Sequence, residues 1–165
     1  MNIRLEQNSD HPAISDVTAR AFANVEHSDQ SEPQIIERLR DASALSLSLV
    51  AIEGTALIGH VAFSPVMIDG AGEGWFGLGP VSVAPERQGG GIGSALVRDG
   101  LARLRSNGAA GCVVLGDPGY YPRFGFARID DLQYEGAPPE YFMSLTFDGH
   151  DPPSGKVHYH PAFSG

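Results

Sequence analysis

The stretch Arg87-Gln88-Gly89-Gly90-Gly91-Ile92-Gly93 puts glycine at four of five consecutive positions, immediately before a helical pattern. Glycine loses more conformational freedom on folding than any other residue, so such a run needs backbone that takes positive φ or closely approaches something else. Upstream, Trp75 to Val83 is an aromatic and β-branched run with strand character. Downstream, Ile92, Leu96, Val97, Leu101 and Leu104 form one apolar helical stripe, with Arg98, Arg103 and Arg105 off it and Asn107-Gly108 as a stop signal. Gly111 to Leu115 then reads as a short buried strand. Strand, glycine loop, helix and strand in this order make a phosphate-binding crossover. The first amides of a helix lack intrahelical partners and carry the positive end of its dipole, so together they cradle an anion. A flexible surface loop without a ligand is the alternative.

The kind of phosphate is narrowed by what surrounds the glycines. A P-loop needs a lysine after its last glycine, and the only lysine here is Lys156. A dinucleotide fingerprint starting at Gly91-x-Gly93 has Leu96 in place of its third glycine, although Asp117 stands where a ribose-binding acid would. Ala84 to Gln88 also intervene between strand and glycines, whereas the dinucleotide loop follows its strand directly. A nucleotide-binding oxidoreductase is therefore a remote alternative.

The spacing Gln88-x-x-Gly91-x-Gly93, behind Val81-Ser82-Val83 and a Pro85 turn, resembles the acetyl-coenzyme A loop of GNAT acetyltransferases. Tyr121-x-x-Phe124-Gly125-Phe126 resembles that superfamily's tyrosine and Gly-Phe strand entry. Gly116 to Phe126 together with Gly155 to Phe163 is similar to the YhbS-like bacterial subgroup. The resemblance implies an α/β (α+β) GNAT-like fold: a mixed, mostly antiparallel sheet, splayed open around the acetyl-CoA site between the Trp75 and Cys112 strands and flanked by about four helices. It implies acetyl-CoA as cosubstrate, with the pantetheine arm on backbone groups of Val81, Ser82 and Val83. The pyrophosphate would rest on amides from Gln88, Gly89, Gly90, Gly91, Ile92, Gly93 and Ser94. Asp117, Tyr120 and Arg123 are placed near the cofactor by the same resemblance. The implied activity is N-acetyl transfer to an amine by direct attack through a tetrahedral intermediate. A non-catalytic acyl-CoA binding or sensing module on the same fold is the alternative.

Composition bounds the rest. The 165 residues suit a single acetyltransferase-like domain spanning 1–165. Acidic residues outnumber basic ones 20 to 11, giving a net charge of −9, which argues against nucleic acid as a partner. A negative field instead favours a cationic acceptor, or serves solubility alone. No apolar run spans a bilayer and Met1-Asn2-Ile3-Arg4 leads straight into polar sequence, so neither a membrane nor a secretory signal is expected, and the expected location is the cytoplasm. Cys112 sits in an apolar strand and reads as a small buried hydrophobe. A homodimer is the other partner the resemblance admits.

The remaining pattern reads as a strand at Met1–Gln7, a helix from His11 with Ile14, Val17, Ala21 and Phe22 on one side, and a second helix opened by a Ser31-x-x-Gln34 capping box. Strands over 45–52 and 56–68 meet at Glu53-Gly54, and a turn from Asp69 to Gly74 leads into the Trp75 strand. Further strands are expected over 141–147 and 156–160. Pro80 inside the Trp75 strand predicts a bulge that opens the sheet.

Amine acetylation needs a neutral amine, and a lysine-like amine at neutral pH lies about 3.4 units below its pKa, so deprotonation costs about 4.6 kcal/mol. The resemblance makes Tyr121 the acid that assists the leaving thiolate, with Tyr120 beside it lining the pocket or packing. The Trp75 strand holds no carboxylate where relatives often have one. Glu26, in the loop between the first two helices with His27 and Asp29, is the residue predicted as base. His158 and His160 alternate on the last strand and share a face, but without a third ligand no metal is expected.

Overall fold

The computed structural model describes residues 1–70 and 73–165. Strand β1 (Asn2–Leu5) leads through a 3-10 turn into α1 (His11–Phe22) and α2 (Glu32–Asp41). Strands β2 (Leu47–Glu53), β3 (Ala56–Pro65), β4 (Met67–Ile68) and β5 (Trp75–Val83) follow, then α3 (Ile92–Ser106) and β6 (Gly111–Leu115). The chain ends with β7 (Leu132–Gln133), β8 (Phe142–Thr146) and β9 (Gly155–His158). The expected turn from Asp69 to Gly74 crosses Ala71 and Gly72, which lie outside the described residues.

Six strands form the main sheet in the order β1-β2-β3-β5-β6-β8. All its neighbours are antiparallel except β5 and β6. The parallel pair is the one joined through α3, since a parallel connection needs a crossover long enough to hold a helix. The apolar stripe of α3 packs Ile92, Leu96, Val97, Leu101 and Leu104 on Leu49, Val61, Phe63 and Leu78. Its approach is close: a Cβ at Gly100 would stand 2.3 Å from Cε2 of Phe63, and one at Gly59 3.0 Å from Cδ1 of Leu96. The opposite face carries α1 and α2, where Ile14 and Ile36 meet Val50. With both faces covered, β2 reads as a continuous buried run rather than an alternating one.

Four expectations need correction. The strand predicted over 56–68 is two strands. It breaks at Val66, whose amide donates to the Trp75 carbonyl at 3.0 Å, and β4 joins a separate three-stranded sheet, β4-β9-β7. The last strand belongs to that small sheet and stops at His158. Among the described residues there are three α-helices, and the segment after β6, Tyr121–Phe124, is one 3-10 turn, because Pro122 and Gly125 (φ +101°) leave no room for a longer helix. The capping box at Ser31 does not form: the Ser31 hydroxyl donates to Asp29 Oδ1 at 2.5 Å, a local alternative to the helix amides.

Pro80 behaves as predicted. Val61 pairs with Val81 and Phe63 with Leu78, so Gly79 and Pro80 together oppose Ala62 alone. Two residues against one is a bulge, which bends the strand. On its other side β5 pairs with β6 only from Trp75–Gly111 to Leu78–Val114. From Gly79 onward β5 has a ladder partner on the β3 side alone, and the sheet opens there.

Candidate active site

The open edge of β5 points toward the glycine loop. Gln88 folds back and donates from Nε2 to the Val83 carbonyl at 3.1 Å, which ties loop to strand. Gly89 and Gly91 take φ of +83° and +84°, conformations that suit glycine and strain any side chain. Gly91 is the N-cap of α3, and the first amide bond of the helix runs from Ala95 to the Gly91 carbonyl at 3.0 Å. Among the described residues the amides of Gly89, Gly90, Gly91, Ile92, Gly93 and Ser94 donate to no protein acceptor. Left-handed glycines alternate with ordinary backbone, so these N–H groups gather into a concave nest at the positive end of a 15-residue helix. Such a nest holds a phosphate or pyrophosphate.

Across the opening from the nest stands the turn after β6. Asp117 shapes it: Oδ1 accepts from the Gly119 amide at 2.8 Å, and the carbonyl accepts from the Tyr120 and Tyr121 amides at 3.0 and 3.2 Å. The turn sends the two tyrosines different ways. The Tyr120 hydroxyl lies 2.7 Å from Ser94 Oγ and so touches the start of α3, while the Arg123 guanidinium stacks 4.3 Å from the Tyr120 ring centre. Tyr121 turns inward and packs against the main core beside Phe124 and Phe126. Its ring covers Gly116, where a Cβ would stand 2.4 Å from Cε2. Burial first, then the neighbouring Tyr120 and Asp117, pushes the Tyr121 phenol up to about 12, so it keeps its proton at any working pH.

Glu26 is exposed and makes no hydrogen bond or ion pair among the described residues. Its neighbour His27 instead lines a cavity of about 540 Å³ with Leu115, Gly116, Asp117, Ala137, Pro138 and Tyr141. Sequence reasoning missed this cavity, because its walls come from three segments remote in the chain. Ser82 is buried, with its hydroxyl unpartnered among the described residues. Val81 and Val83 pack on the α3 side, and Ile92 is buried beneath the nest. His158 pairs with Asp69 at 3.0 Å, and His160 Nδ1 accepts from the Ala162 amide at 3.0 Å, so both histidines have structural partners.

The comparisons with known proteins converge. Residues 2–129 match the model of the acetyltransferase (GNAT) domain. The chain is 35% identical over 170 residues to YhbS, an uncharacterized N-acetyltransferase of Escherichia coli K12, covering 99% of each protein. A crystal structure of a Brucella melitensis GNAT family acetyltransferase in complex with acetyl-CoA superposes with a TM-score of 0.87 at 54% identity, covering 98% of this chain and 97% of that one. The E. coli YhbS structure in complex with CoA gives 0.88 at 33% identity, covering 99% and 92%.

Proposed function

Because the chain belongs to the GNAT acetyltransferase family, we propose that it moves the acetyl group of acetyl-CoA to the amine of a small acceptor. The observation that carries this reading is the nest of unsatisfied amides from Gly89 to Ser94 beside a strand edge opened at Gly79-Pro80. On this reading the pyrophosphate sits in the nest, and Gln88 holds the nest against β5. The pantetheine arm extends β5 through the free backbone groups of Val81 to Val83, which directs the thioester into the gap between β5 and β6. Arg123, stacked on Tyr120, adds positive charge on the cofactor side.

The amine attacks the thioester carbonyl carbon. The C–N bond forms, the C–S bond breaks, and the amine loses a proton. Tyr121 donates a hydrogen bond to the departing sulfur. Full proton transfer from a phenol near 12 to a thiolate whose ordinary pKa is about 8.5 is uphill by roughly 5 kcal/mol, so hydrogen bonding is its main contribution. For the amine proton, the imidazole of His27 is better placed than Glu26, since it lines the cavity beside Gly116.

The test is Tyr121→Phe, which keeps the ring over Gly116. The expected outcome is a fall in kcat of about 10–10³-fold in thiol release with an unchanged acetyl-CoA Kd. Tyr120→Phe, which removes a hydroxyl at Ser94, should weaken acetyl-CoA binding more than it lowers kcat. If acetyl-CoA binds but no amine ever releases thiol, the protein is an acyl-CoA binding module instead.

A further inference from the structure

The 540 Å³ cavity has a volume typical of small-molecule sites, which run from about 300 to 1,000 Å³. It is a built feature. The Gly116 amide donates to the Tyr141 carbonyl at 2.9 Å, which fastens the end of β6 to the Pro139–Tyr141 turn, and Leu115 pairs with Phe142 directly alongside. The walls are mostly apolar. Leu115 and Tyr141 are each 42% exposed, two large apolar side chains left in contact with solvent side by side in the cavity wall. Asp117 is the carboxylate among the lining residues, and no lysine or arginine joins it. Its Oδ1 is engaged by Gly119, and its Oδ2 has no protein partner among the described residues. The backbone of Gly116 lines the cavity on one side and carries the Tyr121 ring on the other.

We infer that this cavity is the acceptor site and that it selects a compact primary amine with one positive charge and an apolar body. This rests on the acetyltransferase reading above and deepens it. Asp117 Oδ2 receives the ammonium, while Leu115, Pro138 and Tyr141 cover an aromatic or branched aliphatic body. Polyamines and aminoglycosides are disfavoured because each further ammonium or hydroxyl would meet apolar wall instead of a hydrogen-bonding partner. Asp117 is thereby a specificity-determining residue for the acceptor rather than a contact of the cofactor nest.

The test uses full-length protein at saturating acetyl-CoA, with thiol release measured for 2-phenylethylamine, isoamylamine, spermidine and kanamycin. The two apolar amines should exceed the others in kcat/KM by about 10-fold or more. Asp117→Asn keeps the oxygen that Gly119 needs, so the turn survives. It should raise the KM for 2-phenylethylamine by about 10-fold or more and leave the acetyl-CoA Kd unchanged. Calorimetry of 2-phenylethylamine with the CoA-saturated protein gives a readout independent of turnover, and its heat should vanish in Asp117→Asn. Faster turnover of spermidine or kanamycin overturns the inference and leaves the acetyltransferase reading intact. So does binding of 2-phenylethylamine that Asp117→Asn does not weaken. Binding that needs Asp117, with no thiol release from any amine, supports the amine cavity and sinks the acetyltransferase reading.

Discussion

At the scale of single residues, burial holds His60 far from its ordinary chemistry. Arg4, Val50, His60 and Ser82 stand in one row across β1, β2, β3 and β5, on the face covered by α1 and α2. His60 is fully buried. Ser48 donates to Glu6 Oε1 at 2.5 Å and lies 2.8 Å from His60 Nε2. With the serine proton committed to the carboxylate, Nε2–H donates to Ser48, and Nδ1 is left without a protein partner among the described residues. Burial, against the pull of Glu6 and with the push of Arg40, holds the imidazole down to about 4. A histidine whose pKa falls on folding takes up protons preferentially in the unfolded chain. Its contribution is therefore complete above about pH 6.5 and is lost as pH falls toward 4. Between pH 7 and pH 5 that loss is about 2 kcal/mol. Urea unfolding of wild type and His60→Gln at both values checks it: the wild type should lose about 2 kcal/mol more than the variant. Equal losses would mean that His60 is not neutral in the fold. Glu6 and Asp10, both held below the usual carboxylate range, contribute their own loss mainly at lower pH.

At the scale of elements, the loop and helix α3 separate two uses of glycine. Gly91 caps α3 in a left-handed conformation with open space around it, so a side chain there is opposed by backbone strain alone, about 1–2 kcal/mol. Gly90 has no positive φ, and its Cβ would meet only the Arg87 carbonyl at 3.5 Å. Acetyl-CoA at a hundredfold excess over Kd should stabilise the wild type by about 2.7 kcal/mol. Gly91→Val should abolish most of that stabilisation by displacing the amides of the nest, in a protein that remains folded. Gly90→Ala should keep the fold's stability, and calorimetric melting with and without acetyl-CoA reads both. Stabilisation by NAD and none by acetyl-CoA would favour the dinucleotide reading instead.

At the scale of the whole molecule, the C-terminal segment reaches back to the central strand. Tyr159 packs half-buried beneath β5, where a Cβ at Gly77 would stand 2.7 Å from its Cε1, and its ring meets Tyr134 and Phe163. Arg38 on α2 donates to the Ala162 carbonyl at 3.0 Å, so the same segment also fastens the second helix. The Tyr159 hydroxyl is buried with no protein partner among the described residues, a group that costs free energy to desolvate. Tyr159→Phe is therefore expected to match or exceed wild-type stability. Tyr159→Ala should cost about 3–5 kcal/mol through the cavity it leaves. Denaturant midpoints of the three proteins decide this. A large loss in Tyr159→Phe would show that the hydroxyl is satisfied in solution.

What the sequence determined by itself is local. The glycine loop, the start and end of α3 and the bulge at Pro80 were legible because positive φ, a missing amide proton and apolar periodicity depend on the residues themselves and their immediate neighbours, whereas the Tyr121 segment was legible only through the family resemblance. The family resemblance rests on those same segments, and from it the sheet's opening between β5 and β6 could be expected. Tertiary structure decided what depends on contacts between remote parts of the chain. It split 56–68 between two sheets, because beyond Val66 the chain leaves β5 and pairs Met67 with His158 and Ile68 with Val157 of β9. It left His60 buried with one nitrogen unpartnered among the described residues, because α1 and α2 cover the sheet face on which it stands. It brought His27, Asp117 and Tyr141 around one cavity, because the end of β6 is tied to the turn before β8. No periodicity marks such a cavity, since each wall residue satisfies the local rules of its own segment and only the assembled sheet sets them facing one another.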